Sequence, residues 1–102
     1  MENKLLLTIL TPEKPVLTDK AVDFVTIPAF EGEMGVLPGH VSFVVQLKEG
    51  VLKYKDEHKR ESFAVLNGFA EVHNNKVLIL AESAELAKEV DEERARQAYQ
   101  KA

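Results

Sequence analysis

The chain has 102 residues, a length that suits one domain with a single hydrophobic core. It contains no cysteine, which excludes a disulfide framework and a thiolate metal site. Its 17 Asp and Glu against 13 Lys and Arg give a formal net charge of -4, and the basic residues form no concentrated face, so we expect no nucleic-acid partner.

The amino-terminal apolar run is too short for a signal peptide or a membrane span. It includes Leu5, Leu6 and Leu7 and ends by Leu10, before Pro12. A membrane-spanning helix needs about 20 apolar residues. We therefore expect the chain to remain in the cytoplasm and to reach a membrane only through a partner.

Up to Ala81, short β-branched and aliphatic segments alternate with Gly, Pro, Asn and Asp, which is typical of an antiparallel β-sandwich or barrel. These residue types favour extended backbone, and the turn residues between them bound each segment. The predicted strands are Leu5–Leu10, Pro15–Thr18, Ala21–Pro28, Met34–Leu37, Val41–Leu47, Val51–Lys55, Ser62–Leu66, Ala70–His73 and Val77–Ala81.

Some of these strands lack the alternation of apolar and polar residues that a half-exposed sheet requires. Val41–Leu47 alternates most clearly, whereas Leu5–Leu10 and Val77–Leu80 are apolar on both faces. Two explanations remain open: these strands are central in the fold, or another molecule covers one outer face.

Three short segments carry turn chemistry. Asn74-Asn75 can supply the positive φ values of a two-residue hairpin. Pro38-Gly39 is a strong turn signal because Pro fixes one φ value and Gly permits the other. Glu49-Gly50 is predicted to connect two neighbouring strands.

The composition changes near Ala81, beyond which Ala, Glu, Lys, Arg and Gln dominate and neither Gly nor Pro occurs. We predict a β-sandwich domain over residues 1–82, and a linker with the start of a helical segment over residues 83–102. Asp91 is the predicted helix N-cap. The residues that then share one helix face are Ala95, Ala98, Tyr99 and Ala102.

The histidines and paired carboxylates offer little support for catalysis. His40, His58 and His73 have no second His at i+4 and no plausible ligand set beside them, so we expect no metal site. Glu31 and Glu33 alternate along the chain, but no second group with a catalytic role accompanies them. We therefore expect a non-catalytic chain with no cofactor.

The segment from Glu31 to His40 is the most distinctive part, with three glycines, one proline and a histidine in ten residues. It can be interpreted in two ways. It is either an elaborate hairpin or a recognition loop, since binding residues concentrate on loops held by rigid scaffolds.

This segment, E-G-E-M-G-V-L-P-G-H, closely resembles the motif E-G-E-(L/M)-G-(apolar)-(L/Y)-P-G-H of ATP synthase epsilon subunits. Leu7–Glu13 resembles the first strand and turn of that family. Asn67–Val72 resembles its G-G-(apolar)-(apolar)-E-V hairpin, and Val90–Ala95 resembles its (I/L/V)-D-x-x-R-A helix start. The motifs occur in the family's order, so the resemblance covers essentially the whole chain.

The resemblance implies a mainly β fold: a flattened antiparallel β-sandwich of about ten short strands followed by a short C-terminal helix. It implies a non-catalytic rotor subunit at the foot of the central stalk that couples proton transport to ATP synthesis. It also implies peripheral attachment at the cytoplasmic face of the inner membrane.

The partners implied by the resemblance are the gamma subunit and the ring of c subunits. In the family one sandwich face binds gamma, which would explain strands that are apolar on both faces. Glu31, Gly32, Glu33 and Met34 match the loop that contacts the c ring, and His40 matches a turn histidine near gamma.

The resemblance weakens at the carboxyl end. Many bacterial members carry two helices that can bind ATP or block rotation, whereas this sequence stops at Ala102 after one helix start, either as a natural short form or by truncation. Asp91 and Arg94 match two positions of the ATP-contacting motif. The alternative function is therefore a nucleotide-sensing regulatory module, and contact of the tail with the alpha and beta subunits is also left open.

Overall fold

The computed structural model describes residues 4–39, 42–57 and 59–87, and strands account for most of them. The predicted mainly β fold is confirmed over these residues, as are the predicted bounds of the first strand. The strands are β1 (Leu5–Leu10), β2 (Pro15–Val22), β3 (Phe24–Ala29), β4 (Gly32–Val36), β5 (Phe43–Leu47), β6 (Gly50–Lys55), β7 (Arg60–His73) and β8 (Lys76–Leu86).

The longest strand, β7, joins two segments predicted as separate strands, Ser62–Leu66 and Ala70–His73. Between them, Asn67 has a φ of 46° and Gly68 a φ of 144°, yet the register with β8 is the same on both sides. The sequence that resembles a family hairpin is therefore a bend inside a strand, because glycine tolerates positive φ without ending the pairing. The described part of the chain contains eight strands, against the ten or so that the resemblance implies.

The predicted strand Ala21–Pro28 is divided at Asp23, so that it belongs partly to β2 and partly to β3. At the break, the backbone N–H of Asp23 donates a hydrogen bond of 2.7 Å to the carbonyl of Lys55. At the break the chain passes from pairing with β1 to pairing with β4 and β6, a change that the continuous apolar pattern of the sequence conceals.

Two layers arise because β7 is long enough to belong to both. Up to Leu66, β7 pairs with β6, which pairs with β3 and, through β3, is linked to β4. β7 pairs with β8 on its other side from Phe63 onward; beyond Gly68 it also pairs with β5, and the order continues from β8 through β1 to β2. We refer to β4-β3-β6-β7-β8 as the first layer and to β5-β7-β8-β1-β2 as the second layer, so that β7 and β8 belong to both.

The strands β5 and β6 lie end to end along β7, not side by side. The pairs Val45↔Ala70 and Leu52↔Phe63 belong to one continuous antiparallel register. The prediction that Glu49-Gly50 connects neighbouring strands is therefore wrong; this segment carries the chain from the second layer to the first. A Cβ atom at Gly50 would lie only 2.8 Å from the Cβ of Pro28, so the close approach there requires glycine.

The two other turn predictions are confirmed by the backbone angles. Asn74 and Asn75 have φ values of 51° and 61° and form the tight hairpin between β7 and β8. Gly39, in the predicted Pro38-Gly39 turn, has a φ of 89°. Most residues rarely adopt these backbone angles, whereas Gly and Asn tolerate them, which is why the residue types alone predict the turns.

One hydrophobic core lies between the layers, and all eight strands contribute side chains to it. Leu7 of β1, Leu52 of β6 and Ile79 of β8 are fully buried. The rings of Tyr54 and Phe63 stack with their centroids 6.2 Å apart. Burying an aliphatic side chain as completely as Leu7, Leu52 or Ile79 stabilises the fold by about 1.5–3 kcal/mol.

The predicted C-terminal helix, with Asp91 as its N-cap, lies outside the described residues and stays a prediction. The described part ends at Ala87, just beyond β8, which continues past its predicted limit of Ala81. The division into residues 1–82 and 83–102 also stays a prediction.

Candidate functional site

The segment from Glu31 to Met34 lies at the end of the β3–β4 hairpin. Phe30 and Glu31 form the turn, and Gly32, with a φ of 134°, starts β4. Phe30 is 61% exposed; Glu31, Gly32 and Glu33 are exposed as well, and Met34 is half-buried. Glu31 to Met34 thus belong to a short hairpin that presents them to solvent, and the recognition role of the segment stays a prediction.

Backbone hydrogen bonds hold the hairpin against the second layer. The N–H of Phe30 donates to the carbonyl of Gln46 (2.9 Å), and the N–H of Lys48 donates to the carbonyl of Pro28 (3.1 Å). An open groove between the hairpin and β5 is lined on its far side by Val44. The hairpin end is therefore a supported projection that combines carboxylates with an exposed aromatic ring.

The outer face of the second layer carries apolar side chains that point away from the core. Phe69 pairs with Leu80 across β7 and β8, and Leu80 pairs with Leu10 of β1. Val44, Phe69 and Leu80 are 65%, 55% and 45% exposed, and Leu78 is half-buried beside them. We call Val44, Phe69, Leu78, Leu80 and Leu10 the apolar face. Single exposed apolar residues are ordinary, but a contiguous patch marks an interaction site.

The apolar face accounts for the strands that lack alternation. β1 and β8 are central in the second layer, where the order is β2-β1-β8-β7-β5, but this position by itself does not cover their outward residues. Their inward residues, such as Ile79, fill the core, and their outward residues, such as Leu80, belong to the apolar face. That another molecule covers this face stays a prediction.

His40 lies outside the described residues, but the residues on both sides of it are held by the β7–β8 hairpin. The N–H of Gly39 donates to the side-chain Oδ1 of Asn75 at 2.7 Å. The hydroxyl of Ser42 lies 3.0 Å from Nδ1 of His73. Gly39 and Ser42 are thus attached to one end of the second layer.

Ion pairs join the start of β1 to two connections between strands. Lys4 pairs with Asp23, and its Nζ lies 3.4 Å from Oε2 of Glu57. Lys20 pairs with Asp56 at 3.4 Å. The hydrogen bond to Asp23 raises the pKa of Lys4. Because these groups are partly exposed, the pairs orient the connections more than they stabilise the fold.

Neither a metal centre nor a membrane span is found where the structure is described. Residues 4–39, 42–57 and 59–87 contain no group of three or more His, Asp and Glu side chains that could hold a metal ion. Within the same residues, no helix is long and apolar enough to cross a membrane. Asp91 and Arg94, the possible nucleotide contacts of the alternative function, lie outside this part of the chain, so that alternative stays untested.

Sequence reasoning did not single out Phe30, Val44, Phe69 or Leu80 as interaction residues. One signal was available in the sequence: Val44 stands on the face of β5 where polar residues were expected, and it breaks the alternation of the strand. Phe69 could not be recognised in this way, because its pairing with Leu80 depends on the register of two strands.

Comparison with protein families gives a match to the β-sandwich domain of the ATP synthase delta/epsilon chain, over residues 4–87. An ATP synthase epsilon chain of Nitratidesulfovibrio vulgaris (strain DP4) is 51% identical over 102 residues, which cover 100% of this chain and 75% of that protein. The ATP synthase epsilon chain of Carboxydothermus hydrogenoformans is 44% identical over 102 residues and is covered to the same 75%. That of Elusimicrobium minutum is 41% identical over 99 residues, with 97% and 73% coverage.

Two solved structures are similar to this chain in fold. A chain in the cryo-EM structure of the Euglena gracilis mitochondrial ATP synthase, which includes the c-ring, superposes with a TM-score of 0.85 at 32% identity. The match covers 99% of this chain and 64% of that one. A chain in the central stalk and c-ring structure of the Tetrahymena thermophila mitochondrial ATP synthase has a TM-score of 0.73 at 22% identity, with 88% and 72% coverage, and supports the fold alone.

Proposed function

The chain belongs to the family of ATP synthase delta and epsilon chains, and we propose that it is a non-catalytic rotor subunit of an F-type ATP synthase. In this role it binds the gamma subunit and the ring of c subunits, and it couples proton transport to ATP synthesis. Its partners hold it peripherally at the cytoplasmic face of the inner membrane.

The apolar face is the observation that carries this proposal. It extends over β5, β7, β8 and β1. Phe69, Leu80 and Leu10 lie in register across β7, β8 and β1, and Val44 lies on the same face of β5, two residues from Gln46, the partner of Phe69. Covering an exposed Phe or Leu side chain stabilises a complex by up to about 1.5–3 kcal/mol. The apolar face is therefore the proposed contact with gamma, and His40, which follows Gly39 in the sequence, is a proposed further contact.

The hairpin end is the proposed contact with the c ring. Glu31, Gly32, Glu33 and Met34 occupy the exposed end, and Phe30 projects beside them. Val44 lines the groove beside the hairpin and also belongs to the apolar face, so the two surfaces are continuous. This continuity supports a subunit that touches the gamma subunit and the c ring at neighbouring places.

The replacement Phe69→Ser tests the proposed gamma contact. It removes an exposed ring from the apolar face without disturbing the core, so we expect at least about a tenfold loss of affinity for the purified gamma subunit, as measured by calorimetry. Phe24→Ser is the matched control, because it removes a partly exposed ring from the outer face of the first layer. Unchanged affinity of a folded Phe69→Ser variant would contradict the proposal.

A further inference from the structure

We propose that the outer face of the first layer carries a binding site for small organic phosphates, formed by Lys53, Lys55 and Arg60 beside the ring of Phe24. This inference does not rest on the proposed function. The outer faces of the two layers of a sandwich point to opposite sides of the molecule, so this site and the apolar face can be occupied at the same time.

The strand register places the three cationic side chains next to one another. Lys55 of β6 pairs directly with Arg60 of β7, and Lys53 precedes Lys55 by two residues on the same exposed side of β6. Directly opposite residues have Cβ atoms about 4.5–5.5 Å apart, and like charges in that position destabilise the strand pair. The arrangement therefore favours an anion that lies between these side chains.

Among residues 4–39, 42–57 and 59–87, no carboxylate forms an ion pair with these three cations, since the ion pairs there use Lys4, Lys20 and Lys59. Glu61 is the neighbouring carboxylate on β7, but Lys59 engages it at 3.0 Å. The positive charge of the site is thus available to a ligand.

The ring of Phe24 forms an apolar wall beside the cations. Phe24 pairs with Lys55 across β3 and β6 and is 36% exposed. Its ring atoms Cε1 and Cζ lie so close to Gly35 that a Cβ atom there would be 3.3 Å from both. The cavity beside the ring has a volume of about 290 Å³, and Thr26 and Ser62 add hydroxyl groups to its lining.

This combination indicates the class of ligand. Arginine and lysine donate charge-assisted hydrogen bonds to phosphate oxygens, and arginine can do so with two parallel bonds. An aromatic wall beside the cations favours a phosphate that carries a planar or apolar group. The cavity lies near the lower end of the range of about 300–1,000 Å³ for small-molecule sites, which favours a small ligand over a protein segment.

Nuclear magnetic resonance titrations of the full chain with inorganic phosphate and with phenyl phosphate test the site at constant ionic strength. We expect the amide signals of β6 and of the start of β7 to shift, and phenyl phosphate to bind more tightly than inorganic phosphate. Lys55→Gln and Arg60→Gln should each weaken binding by about three- to fivefold, the effect of one exposed charge contact. Phe24→Leu should abolish the preference for phenyl phosphate.

Lys48→Gln is the matched control, because it removes one positive charge from an exposed position between β5 and β6. Equal weakening by Lys48→Gln, or shifts spread over all lysine-bearing segments, would show a response to net charge alone and would overturn the site. Equal affinity for the two phosphates would overturn the role of the ring. Binding to phosphatidylglycerol vesicles without binding of phenyl phosphate would overturn the assignment to a small molecule.

Discussion

At the scale of single residues, Gly68 decides where β7 can bend. Its φ of 144° is one that residues with a Cβ atom rarely adopt. A Cβ atom there would also lie 1.8 Å from the carbonyl oxygen of Leu80 on the neighbouring strand. Gly32 has a similar φ of 134°, but no atom lies within 4 Å of the place where its Cβ would be.

Alanine at these positions separates backbone strain from steric overlap. We expect Gly32→Ala to lower the free energy of unfolding by about 1–3 kcal/mol through strain alone. Gly68→Ala should cost at least about 1 kcal/mol more, because β8 must move to admit the methyl group. Urea denaturation measures both values, and equal losses would show that the close approach of β7 and β8 relaxes freely.

Tyr54 links stability to alkaline pH. Burial raises the pKa of its phenol, and the carboxylates of Glu61 and Asp56 act in the same direction. The folded chain therefore keeps the phenol proton where the unfolded chain has lost it. This contribution is complete below the unfolded pKa of about 10 and is lost as the pH rises through the folded pKa. Hydrogen bonds to carboxylates also raise the pKa of Lys4 and Lys59, so their contributions are lost in the same direction.

The variant Tyr54→Phe isolates the contribution of the phenol. We expect it to retain the ring stacking with Phe63 and to lose less stability than the unmodified chain between about pH 8 and about pH 11. Urea denaturation at each pH provides the measurement, and Lys4→Gln serves as the comparison that leaves the phenol in place. An identical loss of unfolding free energy at alkaline pH in Tyr54→Phe and in the unmodified chain would show that the phenol does not contribute.

At the scale of elements, the β3–β4 hairpin carries the charged side chain of Glu33 on its exposed side, away from the hydrophobic core. Glu33 is exposed on an edge strand, and substitutions of this kind usually change stability by less than about 0.5 kcal/mol. The exposed end can therefore be altered while the rest of the hairpin, fixed by the hydrogen bonds of Phe30 and Lys48, keeps its position.

The replacement Glu33→Lys tests the proposed seating of this hairpin on the c ring. We expect proton pumping driven by ATP hydrolysis to fall in the reconstituted synthase, because the charge at the contact is reversed, while the circular dichroism of the isolated chain stays the same. Glu13→Lys makes the same charge change at an exposed position between β1 and β2 and should pump normally. Normal pumping by Glu33→Lys would mean that the hairpin does not bear on the ring.

At the scale of the whole molecule, the two layers share strands and a single core. β7 pairs with β6 in the first layer and with β5 in the second, and the core contains side chains from every strand. Opening one layer would expose the inner face of the other to water, so the layers should unfold together.

Hydrogen exchange tests this cooperativity directly. We expect the most protected amides of β1, in the second layer, and of β6, in the first, to exchange with the same free energy of opening. Gly68→Ala should lower both values equally, because it acts where the layers join. A lower opening free energy in one layer alone would show that the layers are separate cooperative units.

The sequence alone determined the β content of the described residues, the bounds of β1 and the turns at Asn74-Asn75 and Pro38-Gly39. These features depend on local preferences, since extended backbone follows from β-branched and aliphatic residues and positive φ from Gly and Asn. The motif from Glu31 to His40 also indicated the family, because a run of specific residue types can be recognised without knowing its structure.

Only the tertiary structure decided which residues meet. The bend at Gly68, the end-to-end arrangement of β5 and β6, and the pairing of Phe69 with Leu80 all depend on strand register. The same is true of the cationic pair Lys55 and Arg60. Register is set by the simultaneous packing of all strands around one core, and a slip of one residue would send every side chain to the other face. Local preferences therefore cannot specify these surfaces.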